Sequence, residues 1–182
     1  MPARIWTVGH SNRSLEAFLE ICRAHAIRCI ADVRRVPASR RMPHFARGPL
    51  ERALATEEIA YAWFPDLGGR RSSREGSPHT GWSEPAFAGY ADYMDTEEWA
   101  QAAERLLEQA ATLPTAILCA EAKYLECHRQ LVADALLVRG VEVLHIVDPT
   151  TVVPHRLTPF ARRVEERLVY DGGQVPLDLV CR

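Results

Sequence analysis

The chain has 182 residues, which fits one domain, or one domain with a short appendage. An apolar share of 47% and a charged share of 25% are ordinary for a globular protein and argue against disorder outside the tail. The formal net charge of -2 gives no overall attraction to nucleic acid or acidic membranes.

Ile5 to Gly9 (I-W-T-V-G) is a short apolar, β-branched run closed by glycine, the pattern of a buried strand. Ser14 is placed to cap a helix whose apolar positions Leu15, Phe18, Leu19 and Cys22 recur at helical spacing to about His25. Arg28 to Val33 predicts a second strand. Strand, helix and strand within about 30 residues form a βαβ unit and imply a parallel sheet. Arg34 to Phe45 holds Pro37, Pro43 and four arginines, so a long basic loop is expected there. Leu50 to Glu57 predicts a short helix and Ile59 to Phe64 a third strand. Leu67 to Trp82 carries four glycines and three arginines, and an irregular segment of that length in a compact domain suggests a lid or a mobile loop.

Glu84 to Ala111 is helical by pattern, with a break near Asp95 and Thr96, where Thr96 can cap the second piece. Thr115 to Cys119 is the fourth strand. Leu131, Ala135 and Leu136 mark a helix closed by Gly140, and Val141 to Val147 is the fifth strand. In the tail, Thr158-Pro159 is a good helix start. Val164 to Tyr170 followed by Asp171-Gly172-Gly173 suits a hairpin equally well. The expected architecture is a three-layer α/β fold with a mostly parallel, Rossmann-like doubly wound sheet of about five strands, the third able to lie at an edge. Residues 1–182 are expected to form one domain, with 150–182 as an extension packed on it or partly irregular.

Lys123 is the only lysine, and the other 21 basic residues are arginines. Coding bias accounts for a global skew of this kind, but not for arginines crowded into particular loops, where planar forks suit phosphate or carboxylate. The five cysteines (Cys22, Cys29, Cys119, Cys127, Cys181) are an odd number without regular spacing. Met1 to His10 lacks the pattern of a secretory signal, and no stretch approaches the roughly 18 apolar residues of a membrane span. Free thiols in a reducing cytoplasm, with no membrane partner, are the expectation.

Ligands of open parallel sheets sit beyond the carboxyl ends of the strands. Four marked loops follow strands here: Gly9 to Ser14, Asp32 to Arg41, Leu67 to Arg71, and Cys119 to Arg129. In the first, His10 is a candidate base, phosphate donor or ligand, or a ring that hydrogen-bonds the loop shut. Ser11 and Asn12 are more often caps than catalysts, though Ser11 lies where a helix N-terminus favours an anion. In the second, Asp32 can pair with Arg34 to hold the loop, while Arg34 and Arg35 are candidates for an anionic ligand. In the third, Gly68 and Gly69 would let the backbone approach a ligand beside Arg70. Phe87 to Met94 reads as the apolar face of a helix, from which Tyr90 and Tyr93 could reach the mouth of a site.

The fourth loop is the best marked. A thiol at a helix start beside histidine and arginine is favoured as thiolate, which makes Cys127 a candidate nucleophile or ligand and His128 its catalytic partner. Glu121 could move a proton, and Arg129 could clamp an oxyanion. A phosphatase-type loop needs cysteine and arginine separated by five residues, but the sixth residue after Cys119 is Leu125. Zinc takes about four ligands. Cys119, Cys127 and His128 supply three, with His10 a possible fourth, at a spacing that fits no common finger. Neither a metal nor a cofactor is therefore expected. Two packed thiols and a loop salt bridge would be the purely structural alternative.

Together these pieces resemble the bacterial and archaeal family called domain of unknown function 488. The matching stretches are Thr7 to Ser14, Asp32 to Arg41, Leu67 to Arg71, Phe87 to Met94, C-A-E with C-H-R between Cys119 and Arg129, and His155 to Phe160. The resemblance implies a cytoplasmic α/β protein whose shared signature includes His10, Arg34, Arg35, Glu121, Cys127, His128 and Arg129, and it brings no reaction with it.

The expectation from the sequence is a small enzyme acting by hydrolysis or group transfer on a phosphorylated or nucleotide-like substrate. Cys127, Glu121, His10 and His128 would supply the chemistry, and Arg34, Arg35, Arg70, Arg129 and Ser11 would bind the anion. The alternatives are a non-catalytic module for nucleic acid or a protein partner, and a Cys/His metal or redox site. Substrate, reaction and oligomeric state are not specified by the sequence.

Overall fold

The computed structural model describes residues 3–172, so Gly173 and Cys181 lie outside the described residues. β1 (Arg4–Gly9) leads into α1 (Leu15–Ala24) and β2 (Cys29–Asp32). Ser14 Oγ accepts the Ala17 N–H at 3.2 Å, the capping role its place before Leu15 predicts. α2 (Arg47–Thr56) and β3 (Ala60–Trp63) follow. The helical stretch divides at the predicted break into α3 (Pro85–Met94) and α4 (Glu97–Thr112), and Thr96 Oγ1 accepts the Trp99 N–H. β4 (Thr115–Cys119), α5 (Arg129–Leu137) and β5 (Glu142–Ile146) complete the parallel part. β6 (Val152–Pro154) adds an antiparallel edge strand that the sequence reading did not contain.

The sheet order is β3-β2-β4-β1-β5-β6. Five strands are parallel and β3 is an edge, as expected. β4 enters the slot between β2 and β1, so the two strands of the first βαβ unit do not touch. Period-two alternation along each strand feeds two cores. Ala116 and Leu118 of β4 pack with Phe18 and Ile21 of α1 and Leu50 and Leu54 of α2. Ile117 and Cys119 pack on the other face with Tyr90 of α3, Leu106 of α4 and Leu131 of α5. The result is a three-layer α/β fold with α1 and α2 on one side and α3, α4 and α5 on the other. The winding order reverses at β4: the loops leaving β1 and β2 run to the α1 and α2 face and the loop leaving β4 to the α5 face, and such folds open a crevice at this point.

After β6 the chain forms a short C-terminal hairpin of β7 (Ala161–Val164) and β8 (Arg167–Tyr170). The helix expected from Thr158-Pro159 is absent from these residues because Thr158 is used elsewhere: its N–H and Oγ1 both donate to the buried carboxylate of Asp134 on α5. The hairpin turns at Glu165-Glu166, with Glu165 at φ 54°, upstream of the Asp171-Gly172 pair that carries the sequence signal. Leu168 and Tyr170 join the core formed by α3, α4 and α5. The segment 67–82, expected as a lid or a mobile loop, is hydrogen-bonded to α3. Asp92 accepts the Arg74 N–H and the Ser77 hydroxyl, each at 2.9 Å. No helix among the described residues is long and apolar enough to cross a membrane.

Candidate functional site

The loops leaving β1, β2, β3 and β4 surround one open cavity of about 600 Å³ at the carboxyl edge of the sheet. The β1 loop contributes His10, the β2 loop Arg34 and Arg35, and the β3 loop Gly69 and Arg70. Cys119, Glu121, Cys127 and His128 come from the β4 loop, while Phe87 and Tyr90 of α3 close one side. Seven of the nine site residues expected from the sequence thus share a cavity. Ser11 and Arg129 do not line it.

The loops are held level by backbone pairing. Gly9 is in register with Cys119, and the His10 and Ser11 N–H groups donate to the carbonyls of Cys119 and Ala120 at 3.0 and 2.8 Å. This close approach requires the glycine, since a Cβ on Gly9 would stand 1.8 Å from the Glu121 carbonyl oxygen. Ser11, at φ 48°, sits at the bend, and its hydroxyl donates to its neighbour Asn12 at 3.4 Å.

Cys127 Sγ is surrounded by donors. The backbone N–H and the Nε of Arg129 approach it at 3.5 and 3.4 Å, and His128 Nδ1 lies 3.7 Å away. Burial opposes charge on this thiol, yet the donors from Cys119 and His128 and the nearby charges of His128 and Arg129 outweigh it and hold Cys127 well below the usual thiol range. Cys119 is its opposite. Its hydrogen bond to Cys127, its burial and the charge of Glu121 push it well above that range. The Cys119 S–H also reaches Glu121 Oε2 at 3.0 Å, so one proton stands between two anions. Because a thiolate can only accept, His128 Nδ1 carries the hydrogen toward Cys127, and Nε2 is a buried nitrogen without a partner among the described residues.

A family model described as domain of unknown function DUF488 matches residues 14–136. The chain belongs to the DUF488 family. No curated protein and no solved structure matches it. The matched span contains β2, β3, β4 and all of α5 but its last residue, and hence every cavity residue named above except His10.

In this DUF488 chain, two arginines expected to bind ligand turn inward. Arg34 is 6% exposed and forms a two-pronged pair with Asp32, and its remaining contacts run to the Phe45 carbonyl at 2.8 Å and His10 Nε2 at 3.4 Å. The Asp32 pairing that could hold the loop is therefore present, although Arg34 still borders the cavity. Arg129 is 1% exposed. It donates to the carbonyls of Glu121 and Ala122 and to Thr7 Oγ1, and so fastens the β4 loop from beneath. Arg35 and Arg70 line the cavity, with Arg35 exposed and donating to the Arg70 carbonyl at 3.3 Å. Gly69 lets the backbone approach protein rather than an open ligand position, because a Cβ there would stand 2.8 Å from His128 Nδ1.

The tautomer of His10 follows from its partners. Nδ1 faces the Ser11 carbonyl at 2.9 Å and must donate, and Nε2 faces the Arg34 guanidinium and must accept. The ring stacks on Phe45, and burial, with Arg34 adding to it, lowers its pKa from the usual 6.5. His10 is neutral and closes the loop shut, the role weighed beside catalysis from the sequence.

Beneath the site lies a network of residues that the sequence reading did not assign to it. Asp134 on α5 accepts from His155 Nε2 at 2.8 Å and from Tyr170 at 3.0 Å. His155 Nδ1 then accepts from His145 Nε2 at 2.9 Å, and His145 Nδ1 from Thr7 Oγ1 at 2.7 Å. Tyr124 of the β4 loop stacks flat on His145 at 3.5 Å. Burial, with the charges of His155 and Arg129, brings His145 down to about 3. These residues are scattered from position 7 to position 170, and no local pattern links them.

Cys119, Cys127 and His128 form the one group of three metal-type donors found among the described residues, with donor atoms within 4.8 Å of one another. Three donors are one short of the set zinc takes, and Arg129 already presses a positive charge against the Cys127 sulfur where a cation would share it. The arrangement suits an activated thiolate better than a metal centre.

Proposed function

We propose that this DUF488 protein is a small enzyme that uses the Cys127 thiolate on a phosphorylated or nucleotide-like anionic substrate, by hydrolysis or group transfer. The observation that carries the reading is the ring of donors around Cys127 Sγ at the wall of a cavity bordered by Arg35 and Arg70. A thiolate held in this way attacks an electrophilic centre without waiting for a base. His128, whose Nδ1 faces the sulfur, is placed to give a proton to a leaving group. Glu121, in contact with the Cys119 thiol and exposed, is placed to exchange one with water.

Arg35 and Arg70 are the anion-binding pair, because their guanidinium groups are not consumed by a buried carboxylate. Arg34 and Arg129 act as positioning residues: one fixes His10 and the β2 loop, the other the Cys127 loop. Tyr90 and Phe87 offer apolar walls to the uncharged part of the substrate. A nucleic-acid-binding module would draw on the same basic loop, where Arg40 and Arg41 are also exposed. The buried thiolate favours an enzyme, since backbone binding has no use for it.

The test is a thermal-shift panel of nucleotides and sugar phosphates on reduced protein. A ligand is expected to stabilise the parent chain and to lose about ten- to a hundredfold in affinity with Arg35→Ala or Arg70→Ala, the range of a charge-assisted hydrogen bond. No stabilising ligand, or one indifferent to both substitutions, would contradict the proposal.

A further inference from the structure

We propose that Cys119 and Cys127 are an oxidation site: a hydroperoxide converts them to an intramolecular disulfide, with Cys127 attacked first and Cys119 as the resolving thiol. The pairing itself stands on geometry alone. Its consequence, that oxidation removes the nucleophile, rests on the function proposed above.

Both thiols are free and both residues border the cavity, although they are only 5% and 3% exposed. A molecule the size of a peroxide can reach them, but a bulky thiol reagent meets a narrow approach. Their donor atoms, with that of His128, lie within 4.8 Å of one another. A disulfide needs sulfurs about 2.05 Å apart, so rotation at the side chains and a small shift of the β4 loop would close the gap. Cys119 is fixed at the end of a central strand. Cys127 belongs to the loop before α5, outside the sheet, so the adjustment falls on it.

The two thiols are also unlike in the way such chemistry requires. Attack on a peroxide needs a stabilised thiolate beside a proton donor: Arg129 holds the Cys127 charge and His128 is the donor. Resolution needs a second thiol beside a base, which Cys119 has in Glu121 at 3.0 Å. In the first step the Cys127 sulfur bonds one peroxide oxygen and the O–O bond breaks. The departing oxygen takes a proton and leaves as water or an alcohol, giving a sulfenic acid. In the second step Cys119 passes its proton to Glu121 and bonds the Cys127 sulfur. The S–O bond breaks, and the oxygen leaves as water with that proton. Each sulfur loses one electron, and the peroxide accepts both. Cys22 and Cys29 are buried away from the residues that line this cavity, and burial pushes Cys22 up to about 12. They serve as internal controls.

Lys123, the only lysine, lies between Cys119 and Cys127 and supplies a direct readout. A lysine-specific protease cuts the denatured chain once, and a Cys119–Cys127 disulfide is what holds the halves together. Protein in a Cys181→Ser background is treated with stoichiometric hydrogen peroxide, unfolded in the presence of excess maleimide, and cleaved. The halves are expected to stay joined without reductant and to separate with it, with Cys22 and Cys29 carrying maleimide. Cys119→Ser should instead accumulate a sulfenic acid at Cys127 that a cyclic dione traps, and Cys127→Ser should show neither product. Halves that part without reductant, or a linkage that survives either substitution, would overturn the proposal. Ligand binding is read on reduced protein, so the failure of one proposal leaves the other intact.

Discussion

Arg129 and Cys127 are two residues apart, and the Nε of the first lies 3.4 Å from the sulfur of the second, while the rest of the guanidinium holds the Glu121 and Ala122 carbonyls. One buried cation therefore does two things: it favours charge on the thiol and closes the loop that carries it. Arg129→Ala should leave those carbonyls buried without a donor and take the buried cation from beside the thiolate, at a cost of about 3 to 5 kcal/mol. Urea unfolding checks this. A loss below about 1 kcal/mol would mean that the arginine is not the loop's fastening.

Arg35 should behave in the opposite way. It is exposed, and its guanidinium donates to the Arg70 carbonyl. Arg35→Ala is expected to change stability by no more than about 0.5 kcal/mol, while weakening anion binding as described above. Unfolding and binding measured on the same sample separate the two effects.

Two glycines make a contrasting pair. Gly9→Ala drives a Cβ into the backbone carbonyl of Glu121, which cannot move aside without parting β1 from the β4 loop. A loss of at least about 3 kcal/mol is expected. Gly69→Ala meets the His128 ring, which can rotate. A loss of about 1 to 2 kcal/mol is expected there, together with a higher Cys127 pKa as Nδ1 leaves the sulfur. Denaturation and thiol titration of both variants check the distinction.

His145 makes stability depend on acid. Its folded pKa of about 3 lies below the ordinary 6.5, so the unfolded chain binds the extra proton between these values. Stability is full above about pH 6.5 and falls as the pH drops toward 3, by about a few kcal/mol in total. His145→Gln should start less stable at pH 7, through lost contacts to Thr7 and His155, but decline less steeply below pH 6.5. Urea unfolding across that range checks it, and parallel curves for the two proteins would contradict the assignment.

Much of this was legible in the sequence because the signals are local. Ser14 and Thr96 cap where their positions before Leu15 and Glu97 predict, and the strand-end loops meet because a parallel sheet gathers its carboxyl ends. The entry of β4 between β1 and β2 was not legible, since strand order depends on packing of both faces. Nor was the fate of each arginine. Arg34 and Arg35 are neighbours in one basic loop, yet one meets the Asp32 carboxylate and the other borders the cavity in solvent. The turn at Glu165-Glu166 lacks a turn signature, and the chain from Thr7 through His145 and His155 to Asp134 joins residues far apart in sequence.

The central claim is that Cys127 is a thiolate near neutral pH. The direct measurement is the ultraviolet thiolate absorbance of reduced protein as a function of pH, taken as the difference between the parent chain and Cys127→Ser, which does not depend on access by a reagent. The difference should reach one thiolate per chain well below the usual thiol pKa of about 8.5 and be lost only in acid. A difference that titrates at or above that value would contradict it.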